Sequence, residues 1–183
     1  MLIANHSSYI DIMLMFRMSK KPFVFVGKKE LTKIPFFGYL YKRAAITVDR
    51  SSFESRKEVY KNAIPFINKG YSICVFPERE YLDETILLNQ FKRGAFKIAI
   101  EHKLPILPIV FLDCKRKFPW YTTHGFPGQL RAKALEIIDT SAMDEKNINQ
   151  LTNLMHEKIN KELMHDPHQN AIKAILVWKK ITS

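Results

Sequence analysis

His6 and Asp11 stand five residues apart in the stretch Asn5-His6-Ser7-Ser8-Tyr9-Ile10-Asp11. An imidazole is the side chain best suited to taking a proton near neutral pH. A carboxylate bonded to its other nitrogen fixes the tautomer and stabilises the imidazolium that forms. Five residues of helix turn a side chain through about 140°, so both cannot lie on one helix and meet. His6 must therefore precede a helix, with the backbone turning between it and Asp11. Taken alone, the spacing favours a helix-capping or core histidine.

The elements that must hold this pair are those of an α/β domain, because short apolar runs alternate with helical patterns. Leu2–Ala4 reads as the end of a strand, with structure upstream expected to complete it. Residues 9–18 read as a helix capped by Ser7 or Ser8. Residues 23–26 read as a strand stopped by Gly27, residues 31–41 as a short helix or two turns, and Ala45–Val48 as a strand. Ser51 and Glu54 form a capping box for a helix whose apolar face is Val59, Ala63, Phe66 and Ile67, ending at Gly70. Residues 71–76 are a buried strand by length and apolarity. A long loop over 77–90 follows, and such loops are usually functional in compact domains. Then come a helix over 94–102, strands over 106–112 and 130–138, and a helix over 147–164. Residues 170–180 read as a basic amphipathic helix.

The 183 residues suit one domain with one core, and a hydrophobic content of 46% argues against disorder. The net charge of +11 implies an anionic partner, or a solvated basic surface. No nucleic-acid recognition motif accompanies that charge, which leaves a nucleic-acid binder the weakest reading. Cys74 and Cys114 imply no disulfide framework, and Cys74 reads as a buried small hydrophobe. No apolar run approaches the roughly 20 residues of a membrane span. The remaining histidines show no trusted ligand spacing, so no metal is inferred. Met13, Met15 and Met18 read as core or lipid-facing residues.

Four segments recur at strand ends, where ligand sites of open α/β sheets lie. They are Asn5-His6 with Asp11, Thr47-Val48-Asp49-Arg50, Phe76-Pro77-Glu78, and Pro105 with Pro108. The tight turn Gly125-Phe126-Pro127-Gly128 follows. In this order the segments resemble the glycerolipid acyltransferases of the 1-acylglycerol-3-phosphate acyltransferase type. That family's blocks are N-H-x4-D, a strand ending in D-R, F-P-E, and an apolar P-x-x-P strand, and the likeness runs over residues 2–138. The chain departs from it after Phe76-Pro77-Glu78, where Arg79-Glu80-Tyr81 replaces a glycine-containing stretch, and at Ala44, which stands for a glycine.

The resemblance implies a mixed, largely parallel sheet flanked by helices. It implies one acyltransferase domain over 1–183, with a basic helix or tail over 165–183 and without the N-terminal docking helices common in the family. It implies acyl transfer from a thioester, acyl-CoA or acyl carrier protein, to the hydroxyl of a lysophospholipid such as 1-acylglycerol-3-phosphate, giving phosphatidic acid with no cofactor. His6 and Asp11 are the catalytic pair. Arg50 is the phosphate clamp, since a cation is poorly placed at a helix start unless an anion is shared. Glu78 orients Arg50 or binds the acceptor, or is a solvated carboxylate. Lys92 fits a phosphate contact or a plain surface position. Gly125, Pro127 and Gly128 shape the turn first and contact substrate second. The expected location is peripheral, at the cytoplasmic face of an anionic membrane. The competing reading is a lipid-binding protein of the same fold whose altered third block has cost it activity.

Overall fold

The computed structural model describes residues 1–33, 35, 37–48, 53–78, 86–120 and 125–168. Within them the chain forms six strands and six α-helices, the α/β class read from the sequence: a mixed, largely parallel sheet flanked by helices. Two compact units carry them.

The first unit comprises Met1–Leu2 and Ser19–Val75. Its strands are β2 (Phe23–Lys28), β3 (Ala45–Val48) and β4 (Ser72–Val75), in the order β3-β2-β4. Both pairings are parallel, with Phe25 opposite Ala45 on one side and Cys74 on the other. Parallel neighbours need crossovers, and α2 (Phe37–Ala44) and α3 (Phe53–Asn68) lie between successive strands. Val59 and Ala63 of α3 are buried, and Gly70 ends the helix at φ 77°, a left-handed conformation that favours glycine. Gly27 does not stop β2. It pairs with Thr47 inside the strand, and a Cβ there would collide with the Tyr41 hydroxyl. The glycine serves close approach in this case, not chain reversal. The capping box at Ser51 lies outside the described residues.

The second unit comprises Ile3–Met18 and the chain from Phe76 onward. β1 (Leu2–Ala4) neighbours β5 (Leu107–Phe111), which pairs antiparallel with β6 (Ala132–Ala134). The helices are α1 (Asp11–Met18), α4 (Gly94–Glu101), α5 (Cys114–Lys117) and α6 (Ile148–His165). α6 turns Leu151, Met155, Ile159 and Leu163 inward, a four-residue spacing that keeps them on one side of the helix. The single 3-10 turn Glu145–Asn147 that leads into it is closed by a capping box between Asp144 and Asn147.

β6 is shorter than the nine-residue strand read from 130–138. Leu135 donates to the Pro108 carbonyl, but proline has no N–H to return the bond. Regular pairing lapses there and reappears as an isolated bridge between Ile106 and Ile138. At the other end Arg131 makes paired hydrogen bonds to Asp113 and Asp166 at 2.7–2.8 Å, tying β5, β6 and the end of α6 together. Burial raises the Asp113 carboxyl, but the hydrogen bonds from Arg131 and Arg116 outweigh it and hold the group well below the usual range.

Candidate active site

The second unit holds the site, and the chain leaves β1 directly into it. Asn5 follows the last residue of β1, and its side chain carries on the ladder. Its amide donates to the Phe111 carbonyl (3.0 Å) and accepts from the Phe111 N–H (2.8 Å). The backbone then turns through His6, Ser7 and Ser8 before α1. Ser8 holds this turn, accepting from the Ile10 N–H (3.2 Å) and donating to the Phe118 carbonyl. These bonds delay the helix: α1 begins at Asp11 and not at Tyr9, the start read from the sequence.

Asp11 is fully buried at the first position of α1. A buried carboxylate must be compensated, and three donors converge on one oxygen. Oδ2 accepts from His6 Nδ1 (2.9 Å), the Ser7 N–H (2.7 Å) and the Ser8 N–H (2.8 Å). The positive end of α1 adds to this. One carboxylate thus orients the imidazole and also fixes the turn that presents it. With Nδ1–H donated to Asp11, the hydrogen bonding assigns the lone pair to Nε2, the nitrogen able to act as base. The imidazole stacks on Phe76 at 4.3 Å with the rings 14° from parallel, and 19% of its side chain is exposed.

Glu78 is buried behind this turn and grips it from the backbone side. Its Oε1 accepts from the His6 N–H (2.6 Å) and its Oε2 from the Asn89 N–H (2.9 Å). Burial pushes its carboxyl up to about 8, with Asp11 adding to the rise, while the two N–H donors and Lys115 oppose it. Lys115 is itself buried and donates to the Ile86 carbonyl, at the far end of the 77–90 loop. Cys114 is buried, and its thiol is raised first by burial and then by the charge of Asp11, so it stays protonated and unreactive.

His6 and Asp11 are thus in direct contact, with Glu78 one backbone bond away. Lys92 is exposed, and its N–H donates to the Pro77 carbonyl (2.9 Å), beside Glu78 in the chain. Gly125, Pro127 and Gly128 form an exposed turn bound to α5. The Phe126 N–H donates to the Lys117 carbonyl (2.8 Å), and the Lys117 ammonium donates to the Pro127 carbonyl (2.9 Å). A Cβ on Gly125 would meet the Phe118 ring at 2.5 Å, and Gly128 has φ 139°. Arg50 and Arg79-Glu80-Tyr81 lie outside the described residues. Lys115 was not singled out from the sequence, while Asn5 was named only within the N-H-x4-D block and Ser8 only as a helix cap, neither for the long-range bond it makes. Asn5 adjoins His6 and could have been marked as a turn residue, whereas nothing in the run Cys114-Lys115-Arg116-Lys117 marks the lysine that turns inward.

A base presented after the first strand of an α/β unit, oriented by an acid at the head of the next helix, is able to take a proton from a hydroxyl as it attacks an acyl carbon. Residues 1–112 match the family described as acyltransferase, and the chain belongs to that family. It is 33% identical over 159 residues to the 1-acyl-sn-glycerol-3-phosphate acyltransferase of Cocos nucifera, covering 84% of this chain and 50% of the relative. It is 31% identical to the proteins of the same name from Haemophilus influenzae, covering 88% of this chain and 67% of the relative, and from Escherichia coli, covering 86% and 65%. The chain therefore spans half to two thirds of the length of these relatives. The crystal structure of the 1-acyl-sn-glycerophosphate acyltransferase PlsC from Thermotoga maritima shares the fold. Its TM-score is 0.72 at 23% identity, covering 90% of this chain and 66% of that one.

Proposed function

We propose that this chain transfers an acyl group from a thioester, acyl-CoA or acyl carrier protein, to the free hydroxyl of 1-acylglycerol-3-phosphate. The product is phosphatidic acid, a step of phospholipid biosynthesis. His6 Nε2 takes the hydroxyl proton as the oxygen attacks the thioester carbon. The tetrahedral intermediate collapses, the carbon–sulfur bond breaks, and the imidazolium returns its proton to the departing thiolate. Asp11 stabilises the imidazolium between these events, and Glu78 holds the His6 backbone in register. Arg50 and Lys92 bind the acceptor phosphate, and the turn at Gly125, Pro127 and Gly128 borders the acceptor. The enzyme works peripherally at the cytoplasmic face of an anionic membrane, where its acceptor resides.

The observation that carries this reading is the contact of His6 with a buried Asp11 at 2.9 Å, in a chain that belongs to the acyltransferase family. Its test is incubation with an acyl thioester and lysophosphatidic acid in detergent while free thiol and phosphatidic acid are measured. Thiol release that requires the acceptor and matches product formation supports the reading. Binding of lysophosphatidic acid without turnover refutes it and leaves a lipid-binding protein of this fold.

A further inference from the structure

The second unit exposes large apolar side chains on the helix that follows its base and on the 125–128 turn. Tyr9, Met13 and Phe16 are 54%, 67% and 52% exposed. Spaced by four and three residues, they share one face of α1 and the turn leading into it. Phe126, 69% exposed, stands at the tip of the 125–128 turn. That turn is fastened to the head of α1, because Phe118 packs where a Gly125 Cβ would stand and its carbonyl accepts from Ser8. Apolar side chains exposed together on one helix face, unlike ones scattered singly, mark an interaction site.

The charges beside it select the partner. Residues 5–18 and 114–130 contain one carboxylate, Asp11, and it is buried. The exposed Arg17 and the half-buried Lys117 remain beside the apolar face. In these two segments every charged side chain but the buried Asp11 is basic, and exposed apolar side chains set among cations match an anionic lipid surface, where rings and alkyl groups enter the acyl boundary and cations meet headgroups. A second copy of a chain of net charge +11 would instead bring like charges together.

We propose that the Tyr9, Met13 and Phe16 face, with Phe126, docks on an anionic bilayer and sets the base at the lipid surface. The proposal rests on the reading that the acceptor is a membrane lysolipid. Its test is co-sedimentation of the full chain with phosphatidylcholine vesicles with and without phosphatidylglycerol. Wild type binds the anionic vesicles more tightly. The double variant Met13→Gln, Phe16→Gln loses about tenfold or more of that binding, corresponding to about 1.4 kcal/mol. It keeps its transfer rate to acceptor dispersed in detergent. Unchanged vesicle binding overturns the proposal.

Should the double variant misfold by circular dichroism, Met13→Cys labelled with a polarity-sensitive dye replaces it, since Cys74 and Cys114 are buried. A blue shift on adding anionic vesicles supports docking. No shift, or a shift that follows protein concentration without vesicles, overturns it. Vesicle binding without acyl transfer would sink the catalytic reading and leave the docking face standing; transfer without vesicle binding would do the reverse.

Discussion

Replacing Asp11 by asparagine keeps the shape of the site and removes its charge. Oδ2 now accepts three hydrogen bonds, at 2.9, 2.7 and 2.8 Å from His6, Ser7 and Ser8. An amide oxygen in the same place retains all three as neutral bonds, each weaker by about 1 kcal/mol. The amide nitrogen then takes the place of Oδ1, a buried atom without a hydrogen-bond partner. The folded state should lose about 2–4 kcal/mol from these changes. Catalysis loses more, because the carboxylate stabilises the imidazolium that forms as the proton is taken. Two unit charges about 4 Å apart attract by about 4 kcal/mol at an effective dielectric constant near 20. Losing most of that attraction lowers kcat by about 10²–10³-fold. The assay is thiol release with saturating acceptor, beside a urea unfolding curve that establishes how much of the variant is folded. A folded Asp11→Asn protein whose kcat stays within about threefold of wild type, under 1 kcal/mol, would refute the role assigned to the carboxylate.

Glu78 gives a pH prediction. Its carboxyl is raised from 4.5 to about 8, so the folded protein keeps a proton that the unfolded chain releases. Stability therefore declines as pH rises from 4.5 to about 8 and levels off above that. Glu78→Gln removes this contribution, and urea unfolding across the interval should show a flatter profile; identical slopes would contradict it. Asp113 has the opposite sign. Its lowered carboxyl contributes stability above 3.8 that is lost on acidification through its folded value, and Asp113→Asn should blunt that loss in acid unfolding. Arg131→Met leaves Asp113 and Asp166 without their bridge and should cost about 3–5 kcal/mol, read as a lower unfolding midpoint. An unchanged midpoint would show that the bridge holds nothing together.

What could be read from the sequence was set by distance along the chain. His6 and Asp11 were legible because five residues and one turn hold both. The apolar faces of α3 and α6, and the glycine that ends α3, follow from local periodicity and backbone freedom. The support behind the base was not legible. Glu78 reaches the His6 N–H across 72 residues, and Asn5 reaches Phe111 across 106. No local pattern encodes such contacts. The sequence marked Glu78 as a residue of interest but not the backbone bond it makes. Arg131 joins two carboxylates from separate elements, so neither partner announces the other. Gly27 misled because a glycine for close approach and a glycine for a stop look alike until the tyrosine facing it is placed. β6 came out short because Pro108, read as a strand residue, lies on the neighbouring strand and removes a donor from the ladder.

The measurement that bears most directly on the account is single-turnover acyl transfer by His6→Gln, with lysophosphatidic acid binding determined on the same sample. Loss of the base with the acceptor still bound predicts a rate lower by about 10²–10⁴-fold at unchanged affinity. A variant that transfers acyl groups at the wild-type rate would show that the proton leaves by another route.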